Sequence, residues 1–269
     1  MFEKSVGGAF FYRSTGVSDE GFEHFESQPT TAGPWTPDAQ HGGPPAALLA
    51  RGIERLGEAT DRVIGRFTME LWGPVPVGPV AVRSRVLRPG RSVALAESEL
   101  FDVGRDRVAA VGRAWLFPQV NDGPPAEERP LGHTPDDGAG RPRPPEWHGG
   151  YLDAIEWRWI KGGVDEAGPG VVWMRPPGLV EGEPLSPVQR LLACVDSASG
   201  ASAALDVREW GFLNTELTVH VLRPPQSEWV CLDAVTTFGG GAVGLATSDV
   251  YDERGLVARS GQALLVTPR

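Results

Sequence analysis

Cysteine is scarce in this chain. Its two cysteines, Cys194 and Cys231, lack the close spacing of a metal site, so a disulfide framework is excluded and a reduced compartment is expected. Basic residues form no cluster and the formal net charge is −10, which argues against nucleic acid or an anionic membrane as partner. No apolar run approaches the about 18 residues that span a bilayer. The opening MFEKSVGGAFFYRSTG has too short an apolar stretch for a signal peptide. A cytoplasmic protein is therefore expected. Familiar reactive signatures are missing as well: there is no G-x-S-x-G, no cysteine with an evident histidine partner and no H-E-x-x-H. Neither a protein nucleophile nor a metal or cofactor is expected.

What is present is a duplication. The stretch from Pro118 to Gly150 is rich in proline, glycine and charge and reads as a linker near the middle of the 269 residues. It divides the chain into an N-terminal unit (1–120), a linker (121–149) and a C-terminal unit (150–269). The two units share a pattern. GRSVALAESELFD (90–102) lies over GGAVGLATSDVYD (240–252), with Gly90, Val93, Leu95, Ala96, Ser98 and Asp102 matched by Gly240, Val243, Leu245, Ala246, Ser248 and Asp252. After a one-residue slip, VAAVGRAWLF (108–117) lies over VARSGQALLV (257–266). So many matches in one order mark two copies of one unit.

Alternating apolar and polar residues, split by DVGRD and DERG, make each matched stretch an antiparallel hairpin. Two further strands precede each hairpin, over 66–87 and 214–238, with prolines at their junction. Ahead of those lies one apolar helix per copy, over 43–57 and 187–204, and a short strand, FEHFE or AIEWRWI. The predicted fold class is α+β: two tandem helix-plus-antiparallel-sheet units whose sheets join into one, with both helices on its concave face.

The first helix opens with HGGPPAALLARGIERL, two glycines that let backbone N–H groups approach something closely. Together with the duplication and the helix–strand order, this His-Gly-Gly start resembles the double-hotdog acyl-CoA thioesterase II family, over residues 8 to 266. The resemblance implies hydrolysis of acyl-CoA, or a related acyl thioester, and self-association into homo-oligomers. The other reading of the same scaffold is a non-catalytic or weakly catalytic acyl-thioester-binding protein.

The resemblance also implies the site. In single-hotdog thioesterases the glycine loop is followed nine residues on by a catalytic acid. Nine on from His41 is Ala50, whereas in the second copy Asp196 takes the acid's place and Pro187 replaces the histidine. One composite site is implied, with His41, Gly42 and Gly43 from one copy and Asp196 from the other. Gln262 takes the family's glutamine position, and its counterpart in the first copy reads as Arg113. Asn214 stands where a hydroxyl residue is usual, and Thr215 beside it points to the other sheet face. In the chemistry so implied, Asp196 deprotonates a water held by Asn214 and Gln262, and the Gly43 N–H holds the thioester oxygen. His41 shapes the loop. Arg88, Arg91 and Arg223, at strand junctions, are candidates for the phosphates of coenzyme A. A second HGG at 148–150 precedes a period-two segment and reads as chance. The tryptophans Trp157, Trp159, Trp173, Trp210 and Trp229 read as core or interface.

Overall fold

Strand alternation puts one face of each strand inward, and a helix apolar all round must be buried. The computed structural model, which describes residues 9–120, 122–125, 129–144, 147–164 and 166–269, assembles the chain accordingly. Parts of the expected linker, 121, 126–128 and 145–146, lie outside the described residues. The first half forms β1 (Phe10–Val17), β2 (Glu23–Ser27), α1 (Gly43–Glu54), β3 (Arg62–Leu71), β4 (Pro79–Arg88), β5 (Ala94–Asp102) and β6 (Arg107–Pro118). The second opens with α2 (Gly150–Ala154), β7 (Glu156–Gly163), β8 (Glu166–Arg175) and β9 (Gly178–Val180). It continues with α3 (Pro187–Val195), α4 (Ala198–Ala201), β10 (Trp210–Asn214), β11 (Glu216–Val221), β12 (Val230–Phe238), β13 (Val243–Asp252) and β14 (Gly255–Pro268).

Among the described residues one sheet runs β7-β8-β12-β13-β14-β11-β3-β6-β5-β4-β2-β1-β9, with β10 paired to β14. The two units join where β11 meets β3 antiparallel, from Glu216 opposite Glu70 to His220 opposite Arg66. The sheets are continuous, as expected. One pair departs from antiparallel order: β9, from the second half, lies parallel to β1 at the far edge of the first.

The repeat survives in detail. Each hairpin carries a bulge at the matched place, at Leu100/Phe101 and at Val250/Tyr251. The buried Asp102 and Asp252 each accept a turn N–H, from Arg105 and Arg254. The register corrects one assignment. Ala246 faces Gln262 across β13–β14, while Ala96 faces Ala114 across β5–β6. The counterpart of the inward Gln262 is therefore Ala114, and Arg113 points to the other face, paired with Glu97 at 2.8 Å.

The helices lie side by side and antiparallel. α1 begins with Pro44 and Pro45, which suit the first turn, and is buried from Gly43 to Ile53. It ends at Glu54, short of the expected Gly57, because Leu56 turns extended. α3 begins in a capping box in which Ser186 accepts the Gln189 N–H. It stops at Val195 instead of running to Ala204: Ser197 donates to Cys194 O at 3.0 Å, a tightened turn, and α4 resumes at Ala198. At one end Glu54 accepts from Ser186 Oγ and Gln189 Nε2 (2.7 Å to the latter). At the other, the N-terminus of α1 meets the C-terminus of α3.

Candidate active site

That second junction brings the expected residues together. Asp196, the residue after the last turn of α3, is 5% exposed. Its Oδ1 accepts from Asn214 Nδ2 at 2.8 Å and from Gln262 Nε2 at 2.9 Å. Gln262, fully buried on β14, also donates to Asp196 O at 3.1 Å and accepts the Ser199 N–H. The two amides thus grip the carboxylate itself. A buried charge needs such donors to be tolerated.

Asp196 Oδ2 faces the other unit. His41 Nδ1 lies 3.3 Å away. The same Nδ1 accepts the Gly43 N–H at 3.1 Å, so it carries the lone pair and the ring proton sits on Nε2. Burial pushes the His41 pKa down, although the Asp196 charge pulls the other way. At neutral pH the contact is not an ion pair, and Oδ2 keeps its lone pairs free of a strong donor.

The glycines do different things from those expected. Gly43 N–H, expected to hold a thioester oxygen, is committed to His41, and Gly43 does not line the cavity. A Cβ on Gly43 would overlap Ala193 O, so its role is close packing of α1 on α3. Gly42 does line the cavity, its N–H has no protein acceptor among the described residues, and it sits at the N-cap of α1. A Cβ there would meet Asp196 Oδ2 at 2.6 Å.

Tyr151 completes the arrangement. Its ring stacks on His41 with centroids 3.8 Å apart and planes 3° from parallel. Its hydroxyl donates to Ala193 O at 2.7 Å and lies 3.0 Å from Ser197 Oγ. Burial raises the phenol pKa well above its usual value, which keeps it a neutral donor. Tyr151 follows the second HGG, so the chance reading of that motif is corrected: Gly149 and Gly150 adopt positive φ and lead into α2, not straight into a strand.

These groups sit at the wall of a cavity of about 440 Å³. Asp196, Gly42, His41, Asn214 and the exposed Thr215 line it. Trp157 and Trp159, expected in the core or an interface, line it too, Trp159 from within the buried core, and Trp173 is fully buried. Arg88, Arg91 and Arg223 do not reach it. Arg88 is exposed and bonds Val93 O, Arg91 is an exposed turn residue, and Arg223 forms a two-pronged pair with buried Asp252 at 2.6 Å. Strand-junction position alone had suggested them, and their own local partners account for all but Arg91.

The acyl-CoA thioesterase N-terminal domain pattern matches residues 31–117, and the corresponding C-terminal domain pattern matches 135–266. Among curated proteins, none matches the sequence. Solved structures similar to this chain include a conserved protein of unknown function with hot dog fold from Alicyclobacillus acidocaldarius (TM-score 0.73, 18% identity, covering 94% of this chain and 96% of that one). A candidate thioesterase II from Thermobifida fusca YX is similar at TM-score 0.72 and 18% identity, over 95% of both chains. An acyl-CoA thioesterase II from Mycobacterium marinum is similar at 0.66 and 14%, over 94% of both. The fold is the double hotdog.

Proposed function

The chain belongs to the acyl-CoA thioesterase family, and from that premise we propose that it hydrolyses acyl-CoA thioesters to free acid and thiol at one composite site. The observation that carries the reading is Asp196 of the second unit set against Gly42 of the first, at the wall of a largely apolar cavity.

In this reading Asp196 Oδ2 takes a proton from a water as the water oxygen attacks the thioester carbon. Asn214 and Gln262 hold Oδ1 and so fix the carboxylate plane. The developing oxyanion is held by the Gly42 N–H at the positive end of α1. The tetrahedral species then expels the thiolate, which leaves with the proton from Asp196, and the C–S bond breaks. His41, whose Nδ1 accepts the Gly43 N–H, packs beside Oδ2 and shapes the glycine loop against it. Tyr151 holds the His41 ring in that orientation.

The enzyme is proposed to act in the cytoplasm, where buried Cys194 and Cys231 stay as thiols. It is also proposed to self-associate, since Leu213, Val243, Leu245 and Leu265 are exposed on neighbouring strands. A free-thiol release assay over an acyl-CoA series tests the activity. Steady turnover is expected. Tight binding without turnover would favour the acyl-binding reading instead.

A further inference from the structure

The substrate class rests on the cavity and on the hydrolase reading above. Four of the nine tryptophans in the chain line this one cavity: Trp35, Trp147, Trp157 and Trp159. Phe212 joins them. Their rings are held by one another. Trp35 meets Trp147 and Phe212 edge to face at 5.5 and 5.9 Å, and Trp157 and Trp159 stack with planes 10° apart. Trp157 also donates its indole N–H to Leu152 O at 2.9 Å. These rings form flat aromatic walls.

Charge narrows the choice further. Among the described residues Asp196 is the only acidic side chain lining the cavity, and no lysine or arginine lines it. His41, also in the wall, is kept neutral by burial. A terminal carboxylate on the acyl group would find no cation among the described lining residues, Arg269 lying outside them against the Trp35 ring, and would face Asp196. Dicarboxylic acyl groups are disfavoured. A long flexible alkyl chain gains apolar contact but must give up its rotors in the cavity, while a planar ring has few to lose. Ring faces and edges also match the quadrupoles of the indoles.

We infer that the cavity selects an uncharged, ring-bearing acyl group, an aroyl or arylalkanoyl thioester, over straight-chain and dicarboxylic ones of similar size.

The test separates binding from turnover. Non-hydrolysable thioether analogues of phenylacetyl-, octanoyl- and succinyl-CoA are titrated against the full-length protein by tryptophan fluorescence and calorimetry. The phenylacetyl analogue should bind about tenfold tighter than the octanoyl one, the scale of one or two aromatic contacts. The succinyl analogue should bind weakest. Trp157→Leu and Trp147→Leu should each shrink the aryl-over-alkyl affinity ratio measured on the same variant, and a circular dichroism melt confirms that each variant folds. Equal or tighter octanoyl binding overturns the inference, as does a ratio that both variants leave intact. If aryl preference appears but no thioester is turned over, the hydrolase reading fails and the substrate class stands.

Discussion

Asp196 Oδ1 accepts two amide N–H groups, and a hydrogen bond to a charged group contributes about 1.5–3 kcal/mol. Gln262→Leu removes one of them at constant burial, so kcat should fall by about ten- to a hundredfold. Arg113→Gln should leave kcat unchanged, because Arg113 points away from the site, and should instead cost stability by weakening its pair with buried Glu97. Thiol release and urea unfolding on both variants check this; equal activity losses would refute the division. His41 gives a pH test. Its pKa in the folded protein is lowered by burial, so below about 6.5 the unfolded chain takes up a proton that the native state refuses. Stability should therefore fall as pH drops from about 6.5 towards that lowered value. His41→Gln should remove that part of the slope in urea unfolding followed from pH 7.5 to 5. At the residue level the family resemblance pointed to Asp196, Gln262 and Asn214, which the fold brings into contact. Tyr151 was not legible in the sequence, because its stacking on His41 is a long-range contact that no local pattern encodes. The tryptophan walls were hidden for the same reason, since a core indole and a cavity-lining indole look alike in sequence.

At the scale of elements, the junction of α1 with α3 turns on two adjacent glycines with different neighbours. Gly42 has φ −68°, so an alanine there is backbone-compatible, and only space forbids it. Its added methyl would press on the Asp196 carboxylate, and kcat should fall by at least tenfold with a modest loss of stability. Gly43→Ala presses on the backbone of α3 at Ala193 and should cost about 1–3 kcal/mol of stability, the usual range for overpacking. Thermal melts beside thiol-release rates distinguish the two; a reversed ranking would contradict the geometry. The strands of both hairpins were readable because alternation and turn chemistry agree over long stretches. β10 lies almost wholly outside the expected strands, which begin at Asn214, because its five residues are too few for an alternation to show. The break in α3 was missed as well: RLLACVDSASGASAAL has no proline to stop a helix, and the interruption falls where the Asp196 side chain and carbonyl are drawn to Gln262. The Gln262 counterpart was misread as Arg113 because a one-residue slip reverses which face a side chain takes.

Over the whole molecule, the proposal leaves one site where two units would allow two. In the first unit the acid and glutamine positions hold Ala50 and Ala114, both fully buried in the core. Ala50→Asp should then create no second site and should only destabilise, because a carboxylate there has no amide partners. The exposed apolar strip on β10, β13 and β14 predicts a dimer or larger assembly by light scattering at micromolar concentration. A Leu245→Glu change should shift it towards monomer, and a clean monomer for the parent chain would contradict this proposal. The central claim is that Asp196 acts across the unit boundary as the base for a water beside Gly42. Its most direct test is Asp196→Asn, which keeps the shape and removes the base, measured by thiol release together with binding of a thioether analogue. The account predicts a fall in kcat of about two to four orders of magnitude with binding within about twofold of the parent. Near-normal thiol release from Asp196→Asn would contradict it.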